Sequence, residues 1–248
     1  MQRAAIAERT AAPARSWLPP IAFALLLLAY NNLLFGLPGN LAWPSAEIFY
    51  PRAVLLPLVA TFWAVRVQGF SLAELGITTR NLLPSAAVGL AVTLVITVPA
   101  VLYFLFPIGV PGGSVDYENY ANDTIGEFTF WAAVRYPIHA VIFEEVLFRG
   151  VLFALALRSF GATWAIVLTA ATFSGWHVIV DHQTLGASNA ADDTAFFVFA
   201  QVGSLVALFI GGLIFAVMRW RTGNLAGPII FHWLSIVAIN STLYAQAR

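Results

Sequence analysis

Residues 128–158 read FTFWAAVRYPIHAVIFEEVLFRGVLFALALR. A helix needs roughly 20 apolar residues to cross a hydrocarbon core about 30 Å thick, and this run supplies that length. Yet it holds Glu144, Glu145 and Arg149 close together near its middle. Ionisable side chains at such depth cost about 2.5–3.5 kcal/mol each on insertion scales, so those retained there are candidates for function. Outward from this run, comparable apolar stretches recur between short polar breaks. They extend from Trp17 to about Phe35, Arg52 to Val67, Leu83 to Phe106, Thr163 to Val180, Phe196 to Trp220 and Ala226 to Gln246. The chain of 248 residues is 60% hydrophobic and 10% charged, whereas a soluble domain carries about 25% charged residues. The expectation is an all-α, polytopic helical membrane protein of about seven to eight transmembrane helices, with its site within the helix bundle. Pro137 is expected to divide the 128–158 run into an interfacial entry and a helix proper.

Charge placement orients the bundle. Alternating the spans from an inside N-terminus puts Arg3, Arg9, Arg15, Arg66, Arg80, Arg158, Arg219 and Arg221 at cytoplasmic ends, with Arg52 and Arg248 outside, as the positive-inside rule requires. Residues 1–16 then form a cytoplasmic tail and 17–248 a single helical membrane domain. The external loops come out acidic: Asp116, Glu118, Asp123 and Glu127 in one, Asp181, Asp192 and Asp193 in another, all read as solvated loop charges. His182 is read as a loop residue, and Arg135 and His139 fall near the external interface. The glycan-type triplet at Asn122 is too common by chance to decide anything. Residues 68–80, containing GFSLAELGITTR, form a polar, turn-rich elbow expected to lie on the cytoplasmic membrane surface.

Composition removes several chemistries. Basic and acidic residues number 12 each, which leaves no basic field for nucleic acid. There is no cysteine, so thiol nucleophiles, disulfides and Cys-ligated metal sites are excluded. Lysine is also absent, which excludes Walker-type nucleotide loops and Schiff-base chemistry. The expected partners are the bilayer and a membrane-associated peptide or protein substrate, with no nucleic acid and no nucleotide.

What remains is the intramembrane polar set. Glu145 and Arg149 are four apart with the acid nearer the N-terminus, the favourable order for a same-face ion pair. Glu144 lies about 100° round the helix and is left to face another group. The next run contains TFSGWHVIV, with Phe173 and His177 on one face and Trp176 beside them. Measured from the cytoplasmic ends, Glu144 and His177 both lie about 21 Å deep at 1.5 Å per residue, so their depths match. The last span adds His232 and, two turns deeper, Asn240. Phe173 and Trp176 are packing residues that also wall the site, and Asn31 and Asn32 in the first span are read as interhelical glue or a helix break. A carboxylate, a histidine and further inward donors suit attack by an activated water on a carbonyl, with peptide hydrolysis the leading reaction.

These residues stand in a pattern that resembles the CPBP family, the CAAX prenyl endopeptidases and bacteriocin-processing intramembrane proteases, also called the Abi family. The first motif is Glu144, Glu145 and, after three intervening residues, Arg149 with Gly150; the second is Phe173 and His177; the third is His232, preceded by Gly-Asn-Leu-Ala-Gly-Pro. The elbow sequence LAELGI is similar as well, and the CPBP-like catalytic core spans about 128–246. The resemblance implies an intramembrane endopeptidase in which Glu144 and His177 activate water, Glu145 and Arg149 support the first glutamate, and His232 helps form the oxyanion hole. It implies no cofactor; zinc is conceivable on two histidines and two glutamates but no HExxH signature is present. One departure stands out. The family places an asparagine three or four residues after the last histidine, where this chain has Ser235 and Ile236. Asn240 substitutes, Ser235 donates instead, or the oxyanion hole is weakened.

Other classes compete. A serine protease built on Ser174 lacks the preceding glycine, since Thr172 stands there. A proton-relay transporter using Glu144 and His177 would usually carry paired repeats, and none is visible. A silent scaffold or immunity protein of the same fold is made credible by the departure at Ile236. The all-arginine, alanine-rich composition hints at a GC-rich bacterial genome and hence at the bacterial cytoplasmic membrane.

Overall fold

The structure is a computed structural model, and it describes residues 16–36, 46–106, 120 and 123–247. The expectations resting on Arg3, Arg9, Arg15, Asp116, Glu118, Asn122 and Arg248 lie outside the described residues. So does the N-terminal tail except Ser16. Helices account for nearly everything described. They are α1 (Leu18–Gly36), α2 (Ala46–Arg66), α3 (Leu82–Leu105), α4 (125–160), α5 (Ala162–Trp176), α6 (Val178–Gly186), α7 (Thr194–Thr222) and α8 (Ala226–Gln246), with a 3₁₀ turn at Asn189–Asp192.

Among the described residues, four helical stretches are long and apolar enough to cross a membrane: α3, α5 continued through α6, α7 and α8. A fifth, Leu18–Leu33 in α1, is apolar but shorter. The seven to eight spans expected from sequence are thus four by this measure. α2 carries Arg52, Pro51 and Pro57, and α4 is loaded with the polar set. The outward faces are oily: Phe199 is 72% exposed and Val95 69%. Apolar surface on helices long enough to cross a bilayer is the pattern of helices that face lipid.

α4 is the hub of the bundle. It opens with a capping box in which the Thr124 hydroxyl accepts from the Glu127 N–H at 3.2 Å and the Glu127 carboxylate accepts from the Thr124 N–H at 2.8 Å. These bonds to the charged form hold the exposed Glu127 carboxyl below its ordinary range. Pro137 does not interrupt the helix. The ladder instead relaxes into π-type turns at Trp131–Arg135, Pro137–Ile142 and Val146–Leu152, with the Tyr136 N–H reaching back five residues to the Trp131 carbonyl. Proline removes one N–H from the ladder, and wider turns re-satisfy the remaining groups. From Leu147 to Ala156 every residue of α4 is buried.

α3 packs on α8 through a stripe of small residues. Ser85, Gly89, Thr93 and Thr97, one per turn, are the buried positions of α3. A Cβ on Gly89 would lie 2.3 Å from the Gly227 carbonyl oxygen, and one on Gly227 2.7 Å from that of Ser85. The two backbones therefore approach as only small residues permit. Thr97 and Ser235 share a hydroxyl–hydroxyl bond of 2.6 Å at the same contact.

Residues 68–80 are turns docked against the bundle, with Phe70 and Leu75 buried. Arg219, expected at a cytoplasmic end, is buried and donates to the Glu74 carbonyl at 2.6 Å and the Arg149 carbonyl at 3.2 Å. Asn224 donates to the carbonyls of Thr78 and Arg80 at 2.6 and 3.0 Å. Backbone carbonyls left open by the turns thus recruit side chains from α7 and the α7–α8 corner. Gly76, at φ +79°, supplies the left-handed turn against Arg219.

Two loop assignments also change. Asp181 is in α6, half-buried, and its carboxylate accepts from Ser204 at 2.6 Å and Gln201 at 2.9 Å on α7. His182 is in the same helix, edge-on to Phe197. The apolar run continues past Val180 into a short helix whose polar face meets α7. Asp193 remains exposed but caps α7, accepting from the N–H groups of Ala195 and Phe196.

Candidate active site

Glu144 and Glu145 sit on a short α-helical stretch of α4, Phe143–Glu145, between two π-type stretches. Their neighbouring positions send them to different partners. Glu145 and Arg149 are completely buried and joined at 3.1 Å. The same Glu145 Oε1 accepts from His232 Nδ1 at 2.8 Å. A buried ion pair needs further partners; Glu145 Oε1 has one in His232, whereas Arg149 Nε and Nη2 make no hydrogen bond among the described residues and the guanidinium lies against aromatic rings instead. The guanidinium lies 4.1 Å from the Phe173 ring centroid and 4.4 Å from that of Phe215, a desolvated cation–π contact with two rings.

Glu144 faces the other way. Its Oε2 lies 3.9 Å from His177 Nε2 and 3.8 Å from His232 Nε2. No direct hydrogen bond fills the space between them, and the atom is buried.

The tautomers follow from the back side of each ring. A carbonyl can only accept, so His177 Nδ1, 2.8 Å from the Phe173 carbonyl, carries a proton, and in the neutral imidazole the Nε2 lone pair then faces Glu144. His232 Nδ1–H is likewise spent on the Glu145 carboxylate. Both imidazoles therefore present Nε2 to one carboxylate oxygen. Phe173 holds them edge to face, with ring centroids 4.7 Å from His177 and 6.0 Å from His232.

His177 occupies the break between α5 and α6, at φ −89° and ψ −2°. Its N–H bonds to the Ser174 carbonyl, three residues back. That shift releases the Phe173 carbonyl from the helix ladder and makes it available to the imidazole.

A cavity of about 210 Å³ reaches Glu144 and His177 between α1, α2, α4 and α5–α6. Trp176 lines it, as do Tyr30, Arg52, Arg135 and His139. The carboxylate, the two histidines and a cavity beside them meet the geometric requirement for water-dependent acyl chemistry: an acceptor for the water's proton and a place for a carbonyl.

The structure brings Glu144, Glu145, Arg149, Phe173, Trp176, His177 and His232 together. Asn240 is placed elsewhere. Its amide donates to the Ile236 carbonyl at 2.8 Å and its oxygen accepts from Tyr120, which in turn meets Tyr136 at 3.0 Å on the cavity wall. Ser235 is engaged with Thr97, and Ser174 donates to the Leu205 carbonyl at 2.8 Å. Neither hydroxyl reaches the carboxylates. Sequence reasoning overlooked Phe215, the second ring against Arg149, and gave Tyr30 and Arg52 no role at the cavity. Only their proximity in space marks them. The resemblance has Glu145 and Arg149 support Glu144; the further hydrogen bond of Glu145 runs to His232.

Residues 126–237 match the family model of the type II CAAX prenyl endopeptidases, Rce1-like. The match supports the CPBP, or Abi, family and with it peptidase chemistry at the family level. It contains all of the assembled polar set and excludes α1, α2, α3 and Asn240. No curated protein and no solved structure matches the chain.

Proposed function

We propose, from the match of residues 126–237 to the type II CAAX prenyl endopeptidase family model, that the protein hydrolyses peptide bonds of membrane-associated peptides or proteins by glutamate- and histidine-activated water. One observation carries the reading: a buried carboxylate oxygen, Glu144 Oε2, stands 3.9 and 3.8 Å from the Nε2 atoms of two histidines whose Nδ1 atoms are both committed elsewhere.

Two acceptors about 4 Å apart are the right distance for one water to donate to both through ordinary hydrogen bonds of about 2.8 Å. Such a water gives its protons toward Glu144 and His177 and turns its lone pair to the substrate carbonyl. As the oxygen attacks carbon, Glu144 takes the proton, and the carbonyl electron pair moves onto oxygen. In the state where His232 also carries a proton on Nε2, that N–H donates to the oxyanion while Nδ1–H stays on the Glu145 carboxylate. Collapse breaks the C–N bond and returns the Glu144 proton to the leaving amine. Arg149 neutralises Glu145 and holds it against His232, which makes both positioning residues for the oxyanion side. Phe173 and Trp176 wall the site.

We favour a reaction without metal. A tetrahedral zinc with bonds of about 2.0–2.1 Å sets neighbouring donors roughly 3.4 Å apart, closer than the 3.8 and 3.9 Å found between Glu144 and the histidines. We further propose a bacterial cytoplasmic membrane, on the all-arginine, alanine-rich composition, with the N-terminus inside, on the arginine distribution.

The test is proteolysis of a membrane-peptide library by the purified protein in detergent. Glu144→Gln and His177→Ala should each cut turnover by roughly 10²–10⁴-fold, the usual contribution of a general acid–base group, without loss of membrane insertion. Full activity in either variant sinks the mechanism. Activity that disappears with a chelator in the wild type returns zinc to the site.

A further inference from the structure

α1 lies wholly outside the family-matched segment, yet it reaches the break at His177 with two adjacent asparagines. Asn31 is buried and donates to the Trp176 carbonyl at 2.7 Å. Asn32 donates to the Gly175 carbonyl at 2.9 Å and to the Leu28 carbonyl of its own helix at 3.0 Å. Its side-chain oxygen accepts from the Ile179 N–H at 3.3 Å.

These partners are the groups a helix break leaves open. In an uninterrupted helix the Ile179 N–H would bond to the Gly175 carbonyl and the His177 N–H to the Phe173 carbonyl. Here Asn32 takes both members of the first pair, one with its amide and one with its oxygen. Asn31 takes the Trp176 carbonyl. The Phe173 carbonyl, released when the His177 N–H turns to Ser174, is taken by His177 Nδ1 at 2.8 Å. Without water in a bilayer core, open backbone groups cost several kcal/mol each, so a break there persists only where side chains satisfy it. α7 holds both sides of the break from another direction, through the Ser174 hydroxyl on Leu205 before it and Asp181 on Ser204 and Gln201 after it.

We propose that Asn31 and Asn32 are positioning residues for the reaction: by satisfying the backbone opened at His177 they free the Phe173 carbonyl to hold the imidazole with Nε2 toward Glu144. Removing them favours closure of the helix, return of the Phe173 carbonyl to the His177 N–H, and loss of the ring's anchor. This inference rests on the protease reading for its kinetic consequence, but its structural consequence is independent of any substrate.

The experiment compares wild type with Asn31→Leu, Asn32→Leu and Asn32→Asp, and with Leu26→Ala on the exposed face of the same helix as control. Histidine-selective ¹⁵N spectra in detergent, assigned with His177→Gln, read the Nδ1–H signal of His177. Both leucine variants should lose the hydrogen-bonded Nδ1–H signal, and Asn32→Asp, which keeps the acceptor for Ile179, should retain part of it. The control should match wild type. On a cleavable peptide, kcat should fall between about 10- and 100-fold with KM within about twofold, the scale of a misplaced catalytic group. Leucine variants that keep the His177 signal and kcat while only melting earlier would make the asparagines interhelical glue and overturn the proposal. If one leucine variant does not fold, the other and Asn32→Asp carry the comparison. If wild type cleaves nothing, the protease reading fails, and the His177 signal alone decides the positioning role.

Discussion

Each carboxylate of the Glu144–Glu145 pair has a different chemical life, and adjacent positions on a helix are what separate them. Glu145 is consumed by Arg149 and His232, whereas Glu144 meets only the two Nε2 atoms at longer range. The buried pair makes a sharp prediction. Arg149→Leu alone leaves the Glu145 charge buried beside a neutral residue and should destabilise by about 3–5 kcal/mol, read by unfolding in detergent. Glu145→Leu with Arg149→Met should recover most of that stability, because replacing both partners by apolar groups removes the uncompensated charge. The double variant should still be inactive, since His232 loses its acceptor at Nδ1. Recovered activity would show that Glu145 does not act through His232. His232→Ala should cost roughly 10²–10³-fold in kcat, the usual price of an oxyanion donor.

Among the elements, glycines decide how closely the helices and turns approach. Gly89→Leu would drive a Cβ to 2.3 Å from the Gly227 oxygen, so α3 should separate from α8 and the protein should aggregate or lose its thermal transition. A milder, informative change is Gly76→Ala. It forces a left-handed φ of 79° on a side chain and brings its Cβ 2.5 Å from Arg219 Nε, costing about 1–2 kcal/mol from the backbone alone. Limited proteolysis at the elbow should then accelerate, while an unaltered cleavage rate would mean that Arg219 does not pin the elbow. The small-residue stripe Ser85, Gly89, Thr93, Thr97 is readable in the sequence as a four-residue repeat, and it offers a signal for the α3–α8 contact that span counting passes over. The π-type turns of α4 are not readable in that way. They arise where Pro137 and a crowded polar core compete with the regular ladder.

For the whole molecule, orientation is the property that charge predicts most directly. The chain has no cysteine, so single cysteines at Leu72 in the elbow and Thr184 near the end of α6 report sidedness without background. Both positions are exposed. A membrane-impermeant thiol reagent outside intact cells should label Thr184→Cys and spare Leu72→Cys. The reverse pattern would invert the topology.

Membrane character, helical class and the order of the polar motifs came from sequence alone. They depend on composition, on span length and on spacing along one helix, all of which are local. The ion pair of Glu145 and Arg149 was legible for the same reason, as was the likeness of depth between Glu144 and His177. What the tertiary structure decided are contacts between helices far apart in the chain. His232 turned out to rest on Glu145, Arg149 against two aromatic rings, Arg219 inside the bundle and Asp181 on α7. Asn240 went to Tyr120 instead of the carboxylates. A side chain's partner is set by which helix face meets which, and that follows from packing of the whole bundle, not from periodicity along any one strip of it.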